Sequence, residues 1–117
     1  MFELETSEAV ATLSLSRAEA RNAVPLTQWA ALEAHIAAVA TSDSRALLVA
    51  SAVPDIFCAG ADIRDFGALP GDPAAQAAFR AGMRGAIEAL AALPIPTIAV
   101  LDGGCFGAAV ALVLACD

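Results

Sequence analysis

The stretch Pro96-Thr97-Ile98-Ala99-Val100-Leu101-Asp102-Gly103-Gly104-Cys105-Phe106-Gly107-Ala108-Ala109-Val110-Ala111-Leu112-Val113-Leu114-Ala115-Cys116 decides the fold. Its only charge is Asp102. About 20 apolar residues in a row are enough to span a bilayer. Pro96 opens this run, however, and Gly103-Gly104 breaks it beside the aspartate. It therefore reads as a short buried strand over 97–101, a tight turn at 102–104 and a short buried helix from Gly107 to Cys116, with no membrane span.

Working outward, the same alternation of elements recurs. Upstream of Pro94, Asp72-Pro73 makes an N-cap and first-turn pair. It predicts a helix reaching about Ala92, with Phe79, Met83, Ala86, Leu90 and Leu93 on one face. Before it, Arg45 to Ala50 is a continuous apolar run after one charge, which predicts a strand buried on both faces. Pro54-Asp55 begins a loop carrying Phe57-Cys58-Ala59-Gly60-Ala61-Asp62-Ile63. Pro25 suits the first turn of a helix in which Leu26, Trp29, Leu32, Ile36 and Ala40 recur at helical spacing, with Trp29 as a core anchor and His35 off the apolar face. The 16–22 segment is polar and loop-like. Phe2–Glu5 and Ala9–Ser14 are β-like runs with a turn at Thr6-Ser7-Glu8 between them. The order β-β-α-β-α-β-α predicts an α/β fold with a largely parallel sheet, in a single domain over 1–117.

Composition narrows the function classes. Net charge is −7, with six Lys+Arg against 13 Asp+Glu. All the cations are arginines and they form no basic run, which argues against a nucleic-acid partner. The N-terminus lacks a basic segment followed by an apolar core, so no secretory leader is predicted. Cys58, Cys105 and Cys116 are odd in number and widely spaced. That is neither a disulfide framework nor a metal-ligand pattern, and it predicts buried, reduced thiols in a cytoplasmic protein with no metal.

Three segments together carry a family resemblance: Leu15-Ser16-Arg17 to Ala23, the loop Cys58-Ala59-Gly60-Ala61-Asp62-Ile63, and the stretch from Pro96 to Asp117. Their order and spacing resemble the crotonase superfamily of enoyl-CoA hydratases and isomerases, over about the first half of a usual member. The resemblance implies crotonase-like ββα units without the C-terminal helical region, that is, a partial acyl-CoA-binding domain. It implies a CoA thioester as substrate, no bound cofactor, lyase or isomerase chemistry of the kind used in fatty acid metabolism, and a homotrimer or hexamer. By position, the backbone N–H groups of Ala61 and Ala108 would form the oxyanion hole that stabilises a thioester enolate. Ala59, Gly60, Ala61, Asp62, Ile63 and Gly107 would contact substrate. Arg17 and Arg21 would lie near the CoA adenine or phosphates; the other reading of these two is as solvated loop charges. Backbone donors suffice for the chemistry, and one missing donor typically costs about 3 kcal/mol of transition-state stabilisation.

Two departures stand beside the resemblance. The first hydratase glutamate of the family falls at Ala111, and the second lies beyond Asp117. Ala108-Ala109 stand where glycines are usual. Asp62 reads as a loop residue bonded to backbone amides, Asp65 as a solvated charge, Asp102 as a turn residue, and Asp117 as reaching solvent or a neighbouring loop. The resemblance thus leaves a non-catalytic acyl-CoA binder or assembly subunit as the alternative. A nucleotide-binding α/β domain is a third reading, from Gly103-Gly104 and Gly107 between a strand and a helix, but the spacing is not G-x-G-x-x-G.

Overall fold

The computed structural model describes all residues, Met1–Asp117. Strands β1 (Phe2–Ser7) and β2 (Val10–Leu15) form an antiparallel hairpin. Its turn is Glu8-Ala9, one step later than the sequence predicts. Both residues have positive φ, 51° and 67°. This left-handed pair matches the right-handed twist of the flanking strands, so β1 runs on through Ser7 instead of turning there.

The remaining strands of the main sheet, β3 (Ala46–Ser51) and β5 (Thr97–Ala99), pair parallel, giving the order β1-β2-β3-β5. Between them in sequence, β4 (Ile56–Cys58) pairs in parallel with β6 (Gly104–Cys105) as a separate two-stranded sheet. The sequence predicts neither, giving loop at β4 and turn at β6, because each has too few residues to show a period. Helices α1 (Trp29–Ala40), α2 (Pro73–Ala92) and α3 (Ala108–Ala115) complete the chain.

The core lies on one face of the main sheet. Ala11, Leu13 and Leu15 of β2 and Leu47 and Val49 of β3 pack in one cluster with Leu32, Ile36 and Val39 of α1, Ala86 and Leu90 of α2, and Ala109 and Leu112 of α3. Trp29 is fully buried at the start of α1. A 3-10 turn over Leu26–Gln28 leads into that helix, so Pro25 stands just outside it. The apolar face of α1 ends on Val39, and Ala40 is exposed. His35 is half-buried, edge-on to the Phe2 ring at 6.1 Å. Asp72 caps α2, its carboxylate accepting from Ala75 N at 3.0 Å, and Pro73 takes the first turn.

Three predicted elements differ in burial: the last helix has only Ala109 and Leu112 fully covered, with Val110 and Leu114 exposed, and two strands differ as well. β3 alternates, with only Leu47 and Val49 fully covered, because the helices gather on that face. The predicted strand over 97–101 pairs only through Ala99; Ile98 is exposed because it aligns with Leu48 on the face away from the core, and Val100 and Leu101 are exposed beyond the last paired residue. No helix is long and apolar enough to cross a membrane.

Candidate functional site

The loop after β4 is stitched to the segment before α1. Val24 N donates to Gly60 O at 2.8 Å, and Asp62 N donates to Val24 O at 2.9 Å. These two bonds form an isolated parallel bridge between Val24 and Ala61. In such a bridge the central residue, here Ala61, turns its own N–H and C=O away from the partner. Its N–H has no protein acceptor. Ala108 opens α3, where the first N–H groups of a helix lack intrahelical partners, and its N–H also goes unclaimed.

Two glycines let these segments touch. Gly60 has φ +97°, and a Cβ there would sit 2.7 Å from Phe106 O and 3.2 Å from Ala108 N. Gly107, at φ +56°, makes the bend that starts α3. The backbone at Gly60 therefore lies directly against that of 106–108.

Two clefts meet there. One, of about 400 Å³, is polar at its rim: Glu19, Arg21 and Arg64 stand around Ala59, Ala61 and Ile63. The other, of about 500 Å³, is apolar, with Phe66, Phe79, Met83 and Ala111 facing Gly107 and Ala108. Ala59, Ala61 and Ile63 line both. Seven of the nine sequence-predicted site residues line these two clefts, Arg21, Ala59, Ala61, Asp62, Ile63, Gly107 and Ala108, and Gly60 is buried in the seam. Arg17 stands behind it, its guanidinium occupied by Asp62 and by the Ala23 carbonyl.

The profile of the enoyl-CoA hydratase/isomerase family matches residues 5–117. The chain belongs to this family. Mitochondrial methylglutaconyl-CoA hydratase of Mus musculus is 32% identical over 114 residues, which cover 97% of this chain and 36% of that protein. Mitochondrial enoyl-CoA hydratase domain-containing protein 2 of Mus musculus is 33% identical over 112 residues, covering 95% and 37%. The solved enoyl-CoA hydratase/carnithine racemase of Magnetospirillum magneticum superposes with a TM-score of 0.92 at 29% identity, covering 99% of this chain and 44% of that one. The chain thus spans well under half the length of these enoyl-CoA hydratase/isomerase relatives.

Within this family member, charge is concentrated behind the loop after β4. Asp62 is 5% exposed. It accepts from Arg64 Nε at 3.0 Å, Arg64 Nη2 at 2.8 Å, Arg17 Nη1 at 2.8 Å and Arg64 N at 3.1 Å. The hydrogen bonds from Arg64 and then Arg17 hold its carboxyl far below the usual carboxylate range. The sequence reading reached the amide bond but not the two guanidinium partners. Arg64 was missed altogether; its signal was its place two residues after Asp62, where a long side chain can fold back. Asp65, read as a solvated charge, instead accepts from Leu26 N at 2.9 Å and so pins the entry to α1. Asp117 reaches a neighbouring strand, accepting from Thr97 N at 2.9 Å. Asp102 is exposed in its turn.

Asn22 is buried under the same loop, with φ 58°. It accepts from Arg17 N at 2.8 Å and donates to Ser51 Oγ at 2.8 Å and Phe57 O at 2.9 Å. Cys58 is buried beside it, its thiol 3.0 Å from Asn22 O and accepting from Gly60 N at 3.3 Å. Burial pushes the Cys58 thiol up to about 11. An unfolded cysteine ionises near 8.5, so the stability tied to this thiol is whole below about pH 8.5 and is lost as pH rises toward the folded value. At pH 8, iodoacetamide followed by peptide mapping is expected to modify Cys58 only as fast as the chain opens, with urea accelerating it sharply. Modification of Cys58 at the rate of a free thiol in native buffer would contradict this burial.

Proposed function

We propose that this chain binds an acyl-CoA thioester across the junction of the two clefts and polarises its carbonyl through the backbone N–H groups of Ala61 and Ala108. The observation that carries the reading is that pair of unclaimed N–H groups beside one seam, with a polar cleft on one side and an apolar cleft on the other. The polar side suits the CoA adenine and phosphates, with Arg21 and Arg64 as the cations at its rim and the Ala59–Ile63 loop beneath. The apolar side, bounded by Phe66, Phe79 and Met83, suits an acyl chain. Two preorganised donors aimed at a thioester oxygen favour the enolate formed when a proton leaves the α-carbon. The dipole of α3 adds to the Ala108 donor.

Proton transfer is a separate requirement. Hydration needs groups to deprotonate water and to protonate the α-carbon. No residue lining the apolar cleft titrates, and Ala111 stands in its wall where the family's hydratases place a glutamate. That observation favours a second reading, a non-catalytic acyl-CoA binder or assembly subunit on the same scaffold. Calorimetry with CoA and acetyl-CoA, together with the enoyl absorbance of crotonyl-CoA, separates the cases. Binding heat without loss of absorbance is expected. Hydration at an enzymatic rate would place the proton-transfer groups within these residues and sink the second reading. Absence of heat with either ligand would sink both.

A further inference from the structure

We infer that Asp62 is a positioning residue for the Ala61 donor, acting through Arg17; this rests on the acyl-CoA reading above. Three observations converge on it. First, Asp62 directly follows Ala61, and its backbone N–H makes one of the two bonds of the Val24–Ala61 bridge. Second, Arg17 Nη1 donates both to Asp62 Oδ2, at 2.8 Å, and to Ala23 O, at 2.7 Å. One nitrogen thus ties the carboxylate to the residue preceding Val24, so the side chains repeat the connection that the backbone bridge makes. Third, the carboxylate is almost wholly buried and a quarter turn of its side chain would break several bonds at once, since Arg64 holds both of its oxygens.

The need for such a tie is geometric. A donor acts only when it lies 2.7–3.1 Å from the oxyanion, and supporting groups must hold it within about 0.5 Å. Nothing on the cleft side of Ala61 fixes its N–H, which has no acceptor of its own. Its placement therefore depends on the tether behind the loop. Arg64, unlike Arg17, is 64% exposed and reaches the rim of the polar cleft. Arg17 consequently carries the rigid part of the tie.

The test uses the whole chain and two readouts. Calorimetry with CoA reports occupancy of the polar cleft. Absorbance of 4-dimethylaminocinnamoyl-CoA reports carbonyl polarisation, since its conjugated thioester absorbs at longer wavelength when the oxygen accepts hydrogen bonds. Because Asp62 also holds Arg64 at the rim of the polar cleft, the red shift is read with each complex saturated, where any change in CoA affinity drops out. In Asp62→Asn the red shift at saturation is expected to fall by about half or more. A merely structural role would weaken CoA affinity and leave the red shift of the saturated complex unchanged. An undiminished red shift in Asp62→Asn would overturn the positioning role while leaving the acyl-CoA reading intact. No red shift in the unaltered chain would overturn that reading itself and this inference with it. If circular dichroism shows Asp62→Asn unfolded, Arg17→Gln carries the test, because Asp62 then keeps Arg64 as partner. A reduced red shift of the saturated complex supports the proposal, and an unchanged red shift overturns it.

Discussion

Gly60→Ala is expected to lower the stability of the chain by roughly 2–4 kcal/mol and to abolish the carbonyl red shift. Two effects add. The backbone at φ +97° is one that L side chains rarely adopt, and the new methyl would lie 2.7 Å from Phe106 O. That oxygen belongs to the backbone entering α3, where it already accepts from Ala109 N at 3.1 Å, so it cannot swing away without opening the first turn of the helix. The loop must lift instead, and the Ala61 and Ala108 donors part. Gly71→Ala is the control. Its φ is +83°, but nothing lies within 4 Å of the added Cβ. It should cost only the conformational part, about 1 kcal/mol. Urea melts of the two variants separate strain from collision. If Gly60→Ala were no less stable than Gly71→Ala, the tight contact between the two backbones would be wrong.

The other large effect is expected at Asn22. Asn22→Ala removes the acceptor for Arg17 N and the donor for Phe57 O and Ser51 Oγ. It leaves buried backbone groups without partners, at roughly 1–3 kcal/mol for each such group, and puts alanine at a left-handed φ of 58°. A loss of roughly 3–4 kcal/mol follows, a large share of the 5–15 kcal/mol typical of a domain. Asn22→Gly relaxes the backbone but not the hydrogen bonds, so its melting temperature should fall between the other two. Thermal melts followed by circular dichroism check the order. Equal stability of Asn22→Gly and the unaltered chain would mean that the left-handed backbone, and not the hydrogen bonds, is what asparagine serves there.

The parts of this fold that were legible in sequence are those with a period or a punctuation mark. Asp72-Pro73 set the start of α2, and the spacing of Trp29, Leu32 and Ile36 set the face of α1. What escaped were contacts without local signal. β4 and β6 exist because residues distant in sequence meet edge to edge, and three or two residues cannot announce that. The burial of Ile98, Val100 and Leu101 was overestimated because apolarity says what a residue tolerates, not whether a neighbour is present to cover it. The site followed the same division. The motif around Gly60 was visible because a backbone approach demands a particular residue type. Arg64, Asn22 and the second partner of Asp62 were not, since a charge or amide in a loop reads as solvated until its partners are in place.

The unclaimed N–H groups of Ala61 and Ala108 belong to peptide units, and every residue except proline has one. A pair of donors built this way offers no side chain to delete. Alanine scanning would pass over it, and chemical modification would find nothing to label. Its vulnerability is displaced onto neighbours that do no chemistry: the two glycines that let the segments touch, and the buried carboxylate and guanidinium behind them. Under the proposed function, inactivating substitutions would map to the scaffold around the donors, and a catalogue of harmful variants would trace the outline of the site while leaving its centre blank.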